Sequence, residues 1–265
     1  MQRLLDFPIE EPDHIEKLRA KSVKEHEDVA SQIALGAALS LSGCSYEAAS
    51  ILRPLRKHWK LTDASAQAQA ALDAQSWWKK NWREFVQQKR AGNKDAALDM
   101  LSDRSVHYWD LPPLLVHLGD IAAHEGQLEL ARHLYQRVYY LSQRKLPKMD
   151  MKAFEYVAQA ALADILLRSG KPAEALEMHR AVRPNPGNAM AHELQFIKLL
   201  VATDTLDEAM RQAASTVITA NKHRSGYGKT MRLEYIDQSP DLTPLREHND
   251  WPVMLNDPVG YLKGS

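Results

Sequence analysis

A chain of 265 residues carries 34 basic and 34 acidic side chains, so its bulk charge singles out neither nucleic acid nor an anionic membrane as a partner. Its one cysteine, Cys44, excludes an internal disulfide and a cysteine-rich zinc site. The N-terminal MQRLLDFPIEEPDHIEKL turns acidic before any apolar run of signal-peptide length, and no stretch is apolar enough to span a bilayer; a soluble, cytoplasmic protein is expected.

Ala, Leu, Glu, Lys, Arg and Gln dominate, and apolar residues recur at three and four positions rather than at two, which predicts an all-α fold. Residues 13–28 predict an amphipathic helix within an N-terminal extension, 1–28. A recurring frame follows. In ALGAALSLSGCSYEAASIL it reads Gly36, Gly43, Ala48, Leu52, and in EFVQQKRAGNKDAALDML it reads Phe85, Gly92, Ala97, Leu101. The best copy is Gly119, Gly126, Ala131, Tyr135 in LLVHLGDIAAHEGQLELARHLYQRV. Ala163, Gly170, Ala175, His179 make a fourth, and Ile197, Asp204, Ala209, Ala213 a weaker fifth. Each frame predicts a helix, a turn seven residues on, and a second helix.

Gly119 sits inside a predicted helix, where glycine costs about 1 kcal/mol against alanine. The expected compensation is a crossing at which two antiparallel helices bring their backbones together. Gly126 is expected to end the first helix in a left-handed conformation. From Thr62 to Arg90 there is neither proline nor glycine. Thr62 suits a cap and Asp63 a first turn, so this stretch reads as one long helix, or as two joined by a kink near Ser76. SQRKLPKMDM reads as a basic loop or an extended helix end. Residues 221–265, with several prolines, Trp251 and short apolar pairs, read as a cap over the last apolar face.

The frame alanines at 97 and 131, and at 175 and 209, stand 34 residues apart. With its small residue, turn glycine and second-helix alanine, the chain resembles the tetratricopeptide repeat family over residues 29–220. The family's tryptophan is absent; Gln32, Asn81, Leu115, Gln159 and Glu193 stand at its place. The C-terminal segment loosely resembles the closing segments of some bacterial tetratricopeptide proteins. The resemblance implies a right-handed superhelical solenoid of about five antiparallel helix pairs, with extra N- and C-terminal helices. It also implies an adaptor, scaffold or chaperone-like module that takes a protein segment in its concave groove, without a cofactor.

The family's groove positions fall on Lys79, Trp82, Arg83, Val86, Lys89 and Arg90 in the second copy, and on His117, Asp120 and His124 in the third. They fall on Asp164 and Arg168 in the fourth and on Lys198 in the fifth. Lys79 and Arg83 match the cations with which one subgroup holds a peptide carboxylate, but Ile33 and Ala37 stand where its other two partners belong. That clamp is therefore incomplete, which speaks against chaperone-type acidic tails, but a cationic patch beside an aromatic still suits an acidic or aromatic segment as ligand. The plainer reading of WWKKNW is a helix with one apolar stripe and a solvated basic face.

Other motifs weigh less. HRSGYGKT, 223–230, ends like a phosphate loop, but His223 stands where its first glycine belongs and the segment follows a helix. His117, Asp120 and His124 share one helical face, yet i to i+7 spans about 10.5 Å, too far for three ligands to converge on one zinc ion. Those residues with Asp164 are the basis of an enzyme or metal-site alternative. Self-assembly into a homo-oligomer is another. Nucleic-acid binding rests only on RPLRKHWK and WWKKNWR. Cys44 reads as an ordinary small turn residue.

Overall fold

The computed structural model describes residues 5–24, 28–60, 62–93, 109–144, 151–181, 189–222, 232 and 234–264, apart from the side chains of Lys89 and Met151. Ala97, Leu101, the basic stretch 145–150 and the 223–230 segment thus lie outside the described residues. Among the described residues every regular element is a helix, and none is long and apolar enough to cross a membrane.

The chain divides into two compact units, 1–158 and 159–265. The first holds α1 (Asp13–Lys24), α2 (Val29–Leu41), α3 (Ser45–Leu52), the short α4 (Arg56–Trp59), α5 (Ser65–Arg90), α6 (Pro112–His124) and α7 (Leu128–Ser142). The unit boundary falls within α8 (Met151–Arg168). The second unit continues with α9 (Pro172–Arg180), α10 (Ala189–Ala202) and α11 (Leu206–Lys222). A 3-10 turn (Pro240–Leu242), α12 (Thr243–Arg246), α13 (Trp251–Asn256) and α14 (Pro258–Gly264) follow.

All five frame turns take one conformation. Gly43, Gly92, Gly126 and Gly170 have φ between +75° and +78°, and Asp204 has φ +58°. In each, the next residue's N–H returns to a carbonyl five positions back: Cys44 to Leu39, Asn93 to Gln88, Gln127 to Ala122, Lys171 to Leu166 and Thr205 to Leu200, at 2.8–3.0 Å. These bonds satisfy carbonyls that a helix end would leave unpaired, and the left-handed residue is what permits them. The fifth turn manages this with aspartate, whose short polar side chain tolerates the left-handed region better than a branched one.

The glycines inside the helices make room for a side chain of the partner helix. A Cβ on Gly119 would lie 2.7 Å from Cζ of Tyr135, and one on Gly36 would lie 2.5 Å from Cγ of Leu52. The space a Cβ would need is filled by a side chain from the partner helix, sixteen residues on in both pairs. At Gly36 and Gly119 the last residue of the frame, Leu52 or Tyr135, is thus the lid. Ala163 and His179 occupy the same two places in the second unit, both fully buried. Gly119→Ala should therefore destabilise by about 1–3 kcal/mol, in the range of overpacked cores. In a Tyr135→Leu background the same change should cost clearly less; equal costs in urea melts of the two backgrounds would refute the lid.

The stretch before Arg90 forms a single helix, α5. Thr62 does not cap it. The Thr62 hydroxyl donates back to the Trp59 carbonyl at 2.7 Å, and the helix starts at Ser65. Alanines 68 and 71 let the first half of α5 lie in a core of Ile15, Leu35, Leu39, Leu52 and Trp59. The second unit has its own core, in which Ala163, Ala175, Ile197, Leu200, Ala209, Ala213 and Val217 join Leu242, Leu245, Trp251 and Met254 of the C-terminal turns. Residues 240–254 therefore cover an apolar face that α10 and α11 would otherwise expose.

Candidate functional site

Along the second half of α5, Trp78, Trp82 and Phe85 recur at four and three positions, which puts them on one face. Phe85 and Trp78 are buried, whereas Trp82 is half-buried. The Trp82 ring centroid lies 4.4 Å from that of Trp78, 5.5 Å from Phe85 and 5.5 Å from His117 on α6. His117 also lies 5.7 Å from Phe85. Two residue groups assigned to separate copies in the sequence, one around Trp82 and one around His117, thus meet in a single face. Lys79, Arg83 and Arg90 are exposed on the same helix as Trp82, and Val86 is half-buried.

The polar end of this face is ordered by the Gly119 lid. The Tyr135 hydroxyl donates to Oδ1 of Asp120 at 2.7 Å, and Oδ2 of Asp120 stands 3.8 Å from Nδ1 of His117. His124 is exposed near the end of α6. Among the described residues no three histidine, cysteine or acidic side chains converge as a metal site would need. A partly open indole on a helix that also exposes Lys79, Arg83 and Arg90 offers stacking and charge-assisted hydrogen bonds.

The other predicted residues belong to the second unit. Lys198 lies 3.8 Å from Asp164 and 3.2 Å from Asp241, so its charge is met within the unit, while Arg168 is exposed.

A buried polar hub in the first unit escaped the sequence reading. Asp110, 1 % exposed, accepts the Tyr46 and Glu47 amides at 3.2 and 2.6 Å and so caps α3 from sixty residues away. Burial pushes its carboxyl up to about 7, against the pull of those amides. Arg137, also 1 % exposed, donates to the carbonyls of Trp109 (3.0 Å) and Ile9 (2.6 Å) and to Sγ of Cys44 (3.3 Å). Cys44 is therefore no ordinary turn residue: it starts α3 as a buried acceptor, and burial, with the nearby Asp110, raises its thiol well above the usual range. One signal was present. Arg137 interrupts the apolar stripe Leu130, Leu134, Val138, Leu141 of α7, and a cation on a buried stripe needs acceptors.

Comparisons with protein-family models, with curated proteins and with solved structures find no match for this chain.

Proposed function

We propose that the chain is a protein-interaction module of tetratricopeptide type, its helix pairs stacking as a solenoid, that binds an acidic or aromatic protein segment on the α5–α6 face. The observation that carries this is Trp82. Its ring is stacked on Phe85 and tilted against Trp78 and His117, hence held on three sides, yet stays partly open on a helix that also exposes Lys79 and Arg83. A held, half-open aromatic on a helix that exposes cations has the character of an interface anchor. The repeat reading is supported by the shared turn geometry seven residues after each first frame position, Gly36, Phe85, Gly119, Ala163 and Ile197.

The test is selection of a displayed peptide library on the intact chain, followed by titration of the recovered peptides. Peptides rich in Asp, Glu and aromatic residues are expected. Trp82→Ala should weaken them by about 2 kcal/mol, typical of a truncated anchor, and Arg83→Glu should weaken them too. Affinity that rises in Arg83→Glu, or is unchanged in both variants, would remove the site from this face.

A further inference from the structure

The second unit holds a cleft of about 590 Å³. Asp207 and Arg211 of α11, Asp250 and Val253 at α13, and Asp257 and Tyr261 at α14 line it. Asp257 is partly committed, since its Oδ1 accepts the Gly260 amide at 2.9 Å. Asp250 stands at the start of α13, but its side chain caps nothing. Among the described residues, Asp207, Arg211 and Asp250 have no ion-pair partner. Elsewhere in the unit such charges are met: Lys198 by Asp164 and Asp241, Arg180 by Glu177 and Glu208, Arg232 by Glu193. Burial, and after it the charges of Asp250 and Asp207, push the Tyr261 phenol up. Val253 is 59 % exposed and Val259 of α14 is 47 % exposed, so apolar side chains are left in water beside the unpaired carboxylates.

The same chain carries the complement. Residues 77–90 hold five cations against one acid, Glu84, whereas residues 234–257 hold six acids against one cation, Arg246. On α5, Lys79, Arg83 and Arg90 are exposed and Trp82 is partly open. Each surface has what the other lacks. The α5 face offers cations and an indole, and the cleft offers carboxylates, a phenol ring and bare valine. Guanidinium against carboxylate supplies directional, charge-assisted bonds. Indole against valine and tyrosine removes apolar area from water. The unpaired carboxylates also repel an anionic occupant, so the cleft selects for a basic surface.

We propose that the acidic cleft of one copy of this chain docks on the α5–α6 face of another, so that copies associate head to tail. This rests on the reading of the α5–α6 face as a surface for acidic and aromatic groups, and it names a second copy as the occupant. The contact is heterologous: two different surfaces meet, and each copy brings one of each. Both patches lie in water, where charge is screened over about 8 Å at physiological salt, so the association weakens as salt is added.

Sedimentation velocity of the intact chain over a wide range of concentration, in low and in high salt, tests it. The parent should sediment as one chain when dilute and as two or more when concentrated. High salt should raise the apparent dissociation constant by about tenfold or more. Arg83→Glu and Asp250→Arg should each leave a monomer. Mixed in equal amounts, those two variants should associate again, because the intact cleft of the first meets the intact α5 of the second. Mixing repairs a lost contact but not a damaged fold. Lys79→Glu and Asp207→Arg give a second pair if either variant loses helicity. A parent that stays monomeric at every concentration in low salt would overturn the proposal, and so would a mixture that stays monomeric. A monomeric parent that binds a synthetic lysine-rich peptide, and loses it in Asp250→Arg, would give the cleft to a foreign basic segment instead. Library peptides that still depend on Trp82 in a monomeric parent would keep the α5–α6 reading and sink this one alone.

Discussion

Arg137→Met should lower the unfolding free energy by about 3–5 kcal/mol, among the largest single effects the first unit allows. Two main-chain carbonyls, Trp109 and Ile9, lose their guanidinium donor in a dry site, and each orphaned buried acceptor costs about 1–3 kcal/mol. Two rings lose this cation as well. The Arg137 guanidinium carbon lies 5.6 Å from the Trp109 ring centroid and 5.1 Å from that of Tyr140. Removing the cation also pushes Asp110 higher, since Arg137 is one of the groups that hold its carboxyl down. Methionine fills much of the volume, so the loss reports hydrogen bonds and charge more than a cavity. Arg137→Lys should cost less but still measurably, because one ammonium cannot span a fork that serves three acceptors. Urea melts of the three proteins give the ordering. A Met variant as stable as the parent would mean that the hub contributes nothing to the fold.

That hub marks where reading the sequence stops. Helix starts and stops are local: the Gly126 turn is written in Gly126 and its neighbours, and Pro112 and Pro172 open helices where a missing N–H costs nothing. The same locality makes α5 legible, since a run without breakers has no reason to kink. Even Asp204, which departs from the glycine of the other turns, keeps the frame because its offset from Ile197 is the same seven residues. Pairings between distant positions are different in kind. Asp110 caps α3 from 63 and 64 positions away, and Arg137 reaches Ile9 across 128. Nothing in the local pattern of either partner specifies the other. The α5–α6 face lies between these cases. Its residues were predictable one helix at a time from the resemblance, but the ring contact of Trp82 with His117 joins two helices that the frame treats as separate units of repetition. The Gly119 crossing shows the same limit at short range. The frame marks Tyr135 as a repeat position, yet only coordinates show its ring lying over the missing Cβ.

In the second unit, acidification should remove about 3 kcal/mol of stability through His179. The ring is fully buried on α9, stacks on His192 at 4.0 Å, and lies parallel to Phe196 at 5.6 Å. Its Nε2 donates to the His192 carbonyl at 3.1 Å, which leaves Nδ1 bare; no partner for Nδ1 is found among the described residues. A proton added there creates a buried cation with no acceptor among the described residues. Burial, and after it the neighbouring His192, push the His179 imidazole down to about 4. Glu193 does not come to the rescue: its two oxygens are taken by the Thr216 hydroxyl and by Nε of Arg232, both at 2.9 Å. The folded value lies below the unfolded one of about 6.5, so the neutral ring's contribution is complete above pH 6.5. As pH falls, the unfolded chain takes up the proton first, and stability drains away between about 6.5 and 4, then levels off. At 1.36 kcal/mol per unit of pKa, the interval amounts to about 3 kcal/mol. Burial lowers His192 too, so it adds to the loss in the same direction. His179→Gln keeps an N–H for the His192 carbonyl but cannot titrate. Denaturant midpoints at pH 7.5, 6, 5 and 4 should therefore converge: the variant starts less well packed and loses less on acidification. Carboxylates elsewhere titrate in both proteins and cancel in the difference. Parallel pH curves for the two would show that His179 keeps its ordinary affinity for protons in the folded chain.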